Sequence, residues 1–186
     1  MIYILVALPD ELAHDLPALE GYSVVYTGVG KVNAAMHAAQ VAQKEDCRLI
    51  INYGSAGALQ QDLVGKLSEI RQVRQRDMDA RPLCPQGITP FEDTGHEGDI
   101  DLAHQNGVVL STGDQFVTSA PAVTSQMVDM EGYAIAKVAK RHKVDVVIVK
   151  YGSDFADENA SQDWNANCAK GQGLFLDWLS RHYPAV

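Results

Sequence analysis

Apolar positions along the chain fall into short unbroken runs separated by stretches of helical period. Ile2–Leu8, Leu49–Tyr53, Val108–Leu110 with its flanks, and Val144–Val149 are continuous apolar segments of strand length. Runs of that kind suit strands covered on both faces, because a strand open to water on one side alternates apolar with polar. Between them, Lys31–Gln43 sets Val32, Ala35, Met36, Ala39 and Val41 along one stripe, and Glu131–Arg141 repeats the idea with Ile135, Val138 and Ala139. Both read as amphipathic helices. A last helix is predicted over Trp164–His182, with Leu174, Phe175, Trp178 and Leu179 at helical spacing as core. The alternation predicts an α/β fold with three layers, helices covering both faces of a mixed, mainly parallel sheet.

Arg71–Asp101 interrupts this pattern. It is polar, broken by Pro82, Pro85 and Pro90, and mixes Arg74, Arg76 and Arg81 with acidic residues without a clean period. It reads as a long excursion: a lid, an oligomer contact or a disordered loop. With 186 residues and 46% hydrophobic content, and with no repeat or linker, one domain spanning 1–186 is expected.

Charge and composition narrow the partners. A formal net charge of −9 argues against a nucleic-acid backbone or an anionic membrane surface, both of which demand clustered Lys and Arg. A small neutral or cationic ligand fits better. No apolar stretch is long enough to span a bilayer, and Met1–Leu8 lacks the basic leader of a secretory signal. Cys47, Cys84 and Cys168 are odd in number and widely separated, which fits a reducing cytoplasm better than a disulfide framework or a zinc site. The histidines, His14, His37, His96, His104, His142 and His182, show no ligand spacing, so no metal is expected.

Candidate chemistry begins at the end of the Val144–Val149 run. A small-residue turn there, Gly152-Ser153-Asp154, presents a carboxylate where α/β proteins bind ligands, beyond the carboxyl end of a parallel strand. An acid after a strand is more commonly a cap or turn former. That plainer reading is the one taken for Asp157.

Four segments in order change the weight of Asp154. Thr27-Gly28-Val29-Gly30-Lys31-Val32-Asn33-Ala34-Ala35, Asn52-Tyr53-Gly54-Ser55-Ala56-Gly57, Val128-Asp129-Met130-Glu131-Gly132 and Gly152-Ser153-Asp154-Phe155-Ala156-Asp157 together resemble the nucleoside phosphorylase and nucleosidase superfamily. Within it the chain looks like the methylthioadenosine/S-adenosylhomocysteine nucleosidases. The first segment is not a dinucleotide fingerprint, since Asn33 stands at the third glycine, nor a Walker loop, since Val32 follows Gly30-Lys31.

The resemblance implies hydrolysis of a purine N-glycosidic bond, with no cofactor and a homodimeric assembly. It makes Asp154 the general acid that protonates N7 of the departing base, with Ser153 orienting it. Burial beside Phe155 is expected to raise its pKa. Glu131 becomes the carboxylate that binds the ribose hydroxyls, with Met130 against the sugar; its plainer role is to complement a helix N-terminus. Glu11 becomes the activator of water, with Asp10 a rival for that role. Ser55 and Lys150 border the water or phosphate position, and Lys150 stands where the family commonly has an arginine, keeping the charge but losing the bidentate fork. Phe116 stacks on the purine and Val117 offers its backbone to the base edge, although a buried aromatic is more often core. Trp164, ten residues after Asp154, and Leu8 line the 5′-substituent site.

Two alternatives stay open: a phosphorylase, and a nucleoside-binding protein without turnover. A phosphorylase needs a cationic, donor-rich site, whereas the first-strand loop here is Pro9-Asp10-Glu11. Hydrolysis is therefore favoured. The chain also looks shorter than typical relatives near Gly21–Thr27 and over Arg71–Asp101.

Overall fold

The computed structural model describes residues 1–13, 21–92, 95–103 and 106–184. His14 and His104 lie outside them. Strand β1 (Ile2–Val6) stops short of Leu8, where the chain turns and the Glu11 N–H donates to the Leu8 carbonyl at 3.1 Å. β2 (Tyr22–Tyr26) pairs parallel with it. β3 (Leu49–Ala58) pairs parallel with β1 on one side and with β10 (Asp145–Phe155) on the other. β10 runs on through the small-residue segment read as a turn, and β3 through the 54–57 segment, so Ser55 and Asp154 sit on strands. Small side chains permit this, because ladder pairing continues wherever nothing forces the backbones apart.

The remaining strands are β4 (Leu67–Gln75), β5 (Thr89–Glu92), β6 (Gly95–Glu97), β7 (Ile100–Asp101), β8 (Val108–Thr112) and β9 (Met127–Asp129). β10 pairs antiparallel with β4, β4 parallel with β8, β8 parallel with β9, and β9 antiparallel with β3. Because β3 also pairs with β10, these five strands close into a ring from which β1 and β2 extend. Ala56, Ile70, Val73, Leu110, Met127 and Ile148 of these strands pack into one core cluster. The 71–101 stretch is thus partly strand, with β5 and β6 a separate hairpin. Its expected irregularity holds for the loop between Arg76 and Ile88; the period of β4 was hidden because its ladder with β8 shifts between Ile70 and Gln72, which sets the buried Ile70 and Val73 three residues apart.

Alternate residues of the sheet face two helical layers. Tyr3, Leu5 and Ile50 meet Ala34, Ala38 and Val41 of α1 (Lys31–Ala42) and Ala134, Ile135 and Ala139 of α2 (Gly132–His142). Ile4, Val6, Ile51, Tyr53, Val149 and Tyr151 meet Phe175, Trp178 and Leu179 of α4 (Gln172–His182). The expected stripe on α1 is corrected here: Val32 is 80% exposed and Met36 50%. Ala34 and Ala38 let α1 approach the sheet closely, and Val32 and Met36 point outward.

The expected last helix is also two pieces. α3 (Ala160–Asn167) and α4 are separated by a 3₁₀ turn at Cys168–Gly171. A Cβ on Gly171 would come 2.4 Å from the Tyr151 ring and 2.7 Å from the Tyr53 hydroxyl, so the chain presses against the sheet at the break. Among the described residues no helix is long and apolar enough to cross a membrane.

Candidate active site

At one rim of the ring lies a cavity of about 370 Å³, lined by the ends of β3, β9 and β10, the turn after β1, the 115–117 segment and α3. Nine of the eleven residues singled out from sequence line it: Leu8, Glu11, Ser55, Phe116, Val117, Met130, Glu131, Asp154 and Trp164. Lys150 and Ser153 do not.

Asp154 owes its place to an irregularity in the ladder. Register between β10 and β3 shifts between Gly152 and Asp154, leaving Ser153 as the extra residue and setting Asp154 opposite Gly57. Bulges of this kind re-aim side chains beside functional sites. A Cβ on Gly57 would lie 3.2 Å from Asp154 Oδ1, so the glycine makes room for the carboxyl. The Ser153 hydroxyl donates to Asp154 Oδ2 at 2.7 Å. Burial pushes the Asp154 carboxyl above its ordinary range; the Ser153 hydrogen bond opposes this, and Asp163 and Asp157 add to it. Asp157 itself accepts from the Asn159 N–H at 2.8 Å, as a turn former does.

Glu131 sits at the start of α2 but does not cap it. Asp129 Oδ2 takes the Gly132 N–H at 2.8 Å and Thr112 Oγ1 takes the Tyr133 N–H at 2.9 Å. Glu131 is left to reach Gly30, whose N–H donates to its Oε1 at 2.9 Å. Gly30 holds φ +96°, a conformation that favours glycine and turns its N–H toward the carboxylate. Burial pushes Glu131 up to about 7, Asp129 adding by repulsion while Lys150 and the Gly30 N–H oppose.

Glu11 collects three donors. Its Oε1 accepts from the Ser55 N–H at 2.7 Å and the Ser55 hydroxyl at 2.5 Å, and its Oε2 from the Leu8 N–H at 3.2 Å. It is 4% exposed, and Gly54 lies directly against it. Asp10 is exposed and does not line the cavity.

Lys150 departs from its expected place. Its ammonium sits beneath the floor, 2.9 Å from Asp129 Oδ2, and does not border the cavity. Burial opposes both charges, but each stabilises the other: Lys150 is held above its ordinary pKa, and Asp129, aided by the Thr112 hydroxyl at 2.5 Å, below its own.

Arg76 lines the cavity and was missed, because it lay in the aperiodic stretch among other charges. Its guanidinium donates to four carbonyls: Ser111 and Asp129 at 2.7 Å, Gln115 at 2.6 Å and Gly113 at 3.0 Å. It therefore staples the 113–115 loop to the strand end that leads to Glu131. Phe116, 49% exposed, stands at the mouth and not in the core. Met130, Val117 and Val128 complete an apolar wall suited to a flat ring. Among the described residues no group of three or more His, Cys, Asp or Glu is arranged to hold a metal.

Residues 20–177 match the model of the phosphorylase superfamily. A 5′-methylthioadenosine/S-adenosylhomocysteine nucleosidase of Haemophilus ducreyi is 31% identical, with 73% of this chain and 68% of that one covered. One from Halalkalibacterium halodurans is 32% identical, covering 79% of this chain and 74% of that one. Among solved structures, the MTA/SAH nucleosidase of Streptococcus pneumoniae in complex with 8-aminoadenine superposes with TM-score 0.84 at 23% identity, over 100% of this chain and 99% of the other. The futalosine hydrolase of Helicobacter pylori gives TM-score 0.83 at 24% identity over 95% of each chain. These structural likenesses establish the shared fold.

Proposed function

The chain belongs to the phosphorylase superfamily, and from that premise we propose that it hydrolyses the N-glycosidic bond of an adenine nucleoside such as 5′-methylthioadenosine or S-adenosylhomocysteine. Its relatives at 31% and 32% identity are nucleosidases for those two compounds. The observation that carries the reading is the convergence of Asp154, Glu131 and Glu11 on one cavity that offers no free cation. Arg76 alone of the described Lys and Arg residues lines it, and its donors are committed to four carbonyls; Lys150 is committed to Asp129. Phosphate needs such donors, so water is the nucleophile this site suits.

The steps follow from where charge appears. As the C1′–N9 bond breaks, the base gains electrons and takes the Asp154 proton at N7, and burial, by raising that carboxyl, favours the protonated form the step needs. The sugar becomes cationic, and Glu131, accepting from its hydroxyls, stabilises that charge. Glu11 takes a proton from water as its oxygen bonds C1′. Phe116 stacks on the base, Val117 presents its backbone to the base edge, Met130 lies against the sugar, and Leu8 and Trp164 wall the 5′ end. Ser153 orients Asp154 and Ser55 orients Glu11.

A homodimer belongs to this reading. Val29, Val32, Met36 and Phe116 are between 43% and 80% exposed on and beside α1, and exposed apolar groups of that kind mark association surfaces. With Cys47, Cys84 and Cys168 all free, a reducing cytoplasm is the compartment it implies.

Base release from 5′-methylthioadenosine, S-adenosylhomocysteine, adenosine and inosine, with and without phosphate, tests the proposal. Phosphate-independent adenine release supports it. Strict phosphate dependence establishes the phosphorylase instead, and binding without release the non-catalytic protein.

A further inference from the structure

Trp164 does more than wall the cavity. Its indole Nε1–H donates to Ser55 Oγ at 2.8 Å, and Ser55 Oγ lies 2.5 Å from Glu11 Oε1. An indole is a donor only, and a serine hydroxyl carries a single proton. Ser55 must therefore accept from Trp164 and direct its own proton to Glu11. With the Ser55 N–H also on Oε1 at 2.7 Å, one carboxylate oxygen is held from two sides. The residue that fixes this arrangement comes from α3, the helix that also brings Ser161 and Asn165 to the cavity.

We propose that Trp164 is a positioning residue whose indole N–H locks the Ser55 hydroxyl onto Glu11, tying the 5′ wall of the cavity to the carboxylate that handles water. The assignment rests on the role given to Glu11 above. A phenylalanine in the same place would wall the cavity equally well and leave the Ser55 hydroxyl free to rotate away. The arrangement also sets how substrates are told apart. A 5′-substituent that pushes the indole aside disturbs Glu11, so it is penalised in turnover more than in affinity.

A double-mutant cycle tests the tie. Trp164→Phe and Ser55→Ala are each expected to lower kcat by about five- to tenfold, the size of one lost hydrogen bond, with adenine affinity unchanged. The double variant should be no slower than Ser55→Ala, since the second change removes nothing that remains. Replacing Trp164 by its benzothiophene isostere, which keeps the shape and loses the N–H, should reproduce the Phe result and carries the test where Phe impairs folding. Unchanged kcat in the isostere, or losses that multiply in the double variant, would overturn the proposal. The indole N–H resonance of Trp164 supplies a readout independent of turnover: it should move on Ser55→Ala. If the wild-type protein releases no base, the hydrolase reading fails while that resonance still judges the tie.

Discussion

Lys150 Nζ and Asp129 Oδ2 lie 2.9 Å apart, with each side chain 1% exposed. Neither charge is hydrated, so each is tolerable only beside the other. Lys150→Met should leave the Asp129 carboxylate uncompensated and cost about 3–5 kcal/mol in urea unfolding. Adding Asp129→Asn to that variant should recover part of the loss. A stability loss below about 1 kcal/mol in Lys150→Met would show that the pair contributes little.

Asp154→Asn should lower adenine release by about 10²–10⁴-fold, the range for a lost general acid, while calorimetric adenine binding persists. Glu11→Gln should fall comparably. Asp10→Asn, altering an exposed residue off the cavity, should run near the wild-type rate. The reverse order for Glu11 and Asp10 would reassign the handling of water.

Glu131 gives the unliganded protein a pH signature. Its carboxyl rises from an ordinary 4.5 to about 7 on folding, so the folded state binds the proton more tightly than the unfolded one. The stability this provides is complete below about pH 4.5 and is lost as pH climbs through 7, by about 3 kcal/mol. Glu131→Gln should remove that slope. Unfolding free energies of wild type and variant at pH 5 and pH 8 measure it, and parallel curves would contradict it.

Arg76→Met removes a guanidinium donor from each of four carbonyls, of which that of Asp129 keeps the Gly113 N–H at 3.2 Å. The expected cost is at least about 3 kcal/mol in stability. Adenine affinity should weaken about tenfold, because the 113–117 wall loses its staple to the Asp129 segment. An unchanged dissociation constant for adenine would separate Arg76 from the base wall.

Gly152 admits no side chain: a Cβ there would lie 2.2 Å from the Leu63 carbonyl oxygen. Since that neighbour is backbone, Gly152→Ala should cost about 1–3 kcal/mol, measurable as a lower thermal midpoint. It should also impair catalysis through Asp154, two residues on. A variant as stable as wild type would mean the 63–66 segment yields freely.

The sheet and the carboxylates were legible because each announces itself locally. An unbroken apolar run such as Val144–Val149 has few homes other than a covered strand, and Asp154 and Glu131 stand in short motifs that survive reading in one dimension, whereas Glu11 is separated from Asp10 only by the fold, which buries the first and exposes the second. What escaped depends on partners distant in sequence. Arg76 looks like any loop arginine until Ser111, Gly113, Gln115 and Asp129 arrive around it. Lys150 read as a site cation because its partner, Asp129, is assigned by the ring and not by spacing. The stripe on α1 misled because alanine, the least conspicuous apolar residue, is the one a close-packed helix turns inward.

Ser55 and Asp154 stand on neighbouring strands, with Gly57 the ladder partner of Asp154 two residues beyond Ser55. The separation between Ser55, which holds Glu11, and Asp154 is therefore a fixed gauge, cut into a closed ring that cannot stretch one rung. Molecules of different reach meet helix and loop instead, at Leu8, the 115–117 segment, Ser161 and Asn165. Divergence in substrate within this architecture has one direction in which to run, and it points away from the bond being broken.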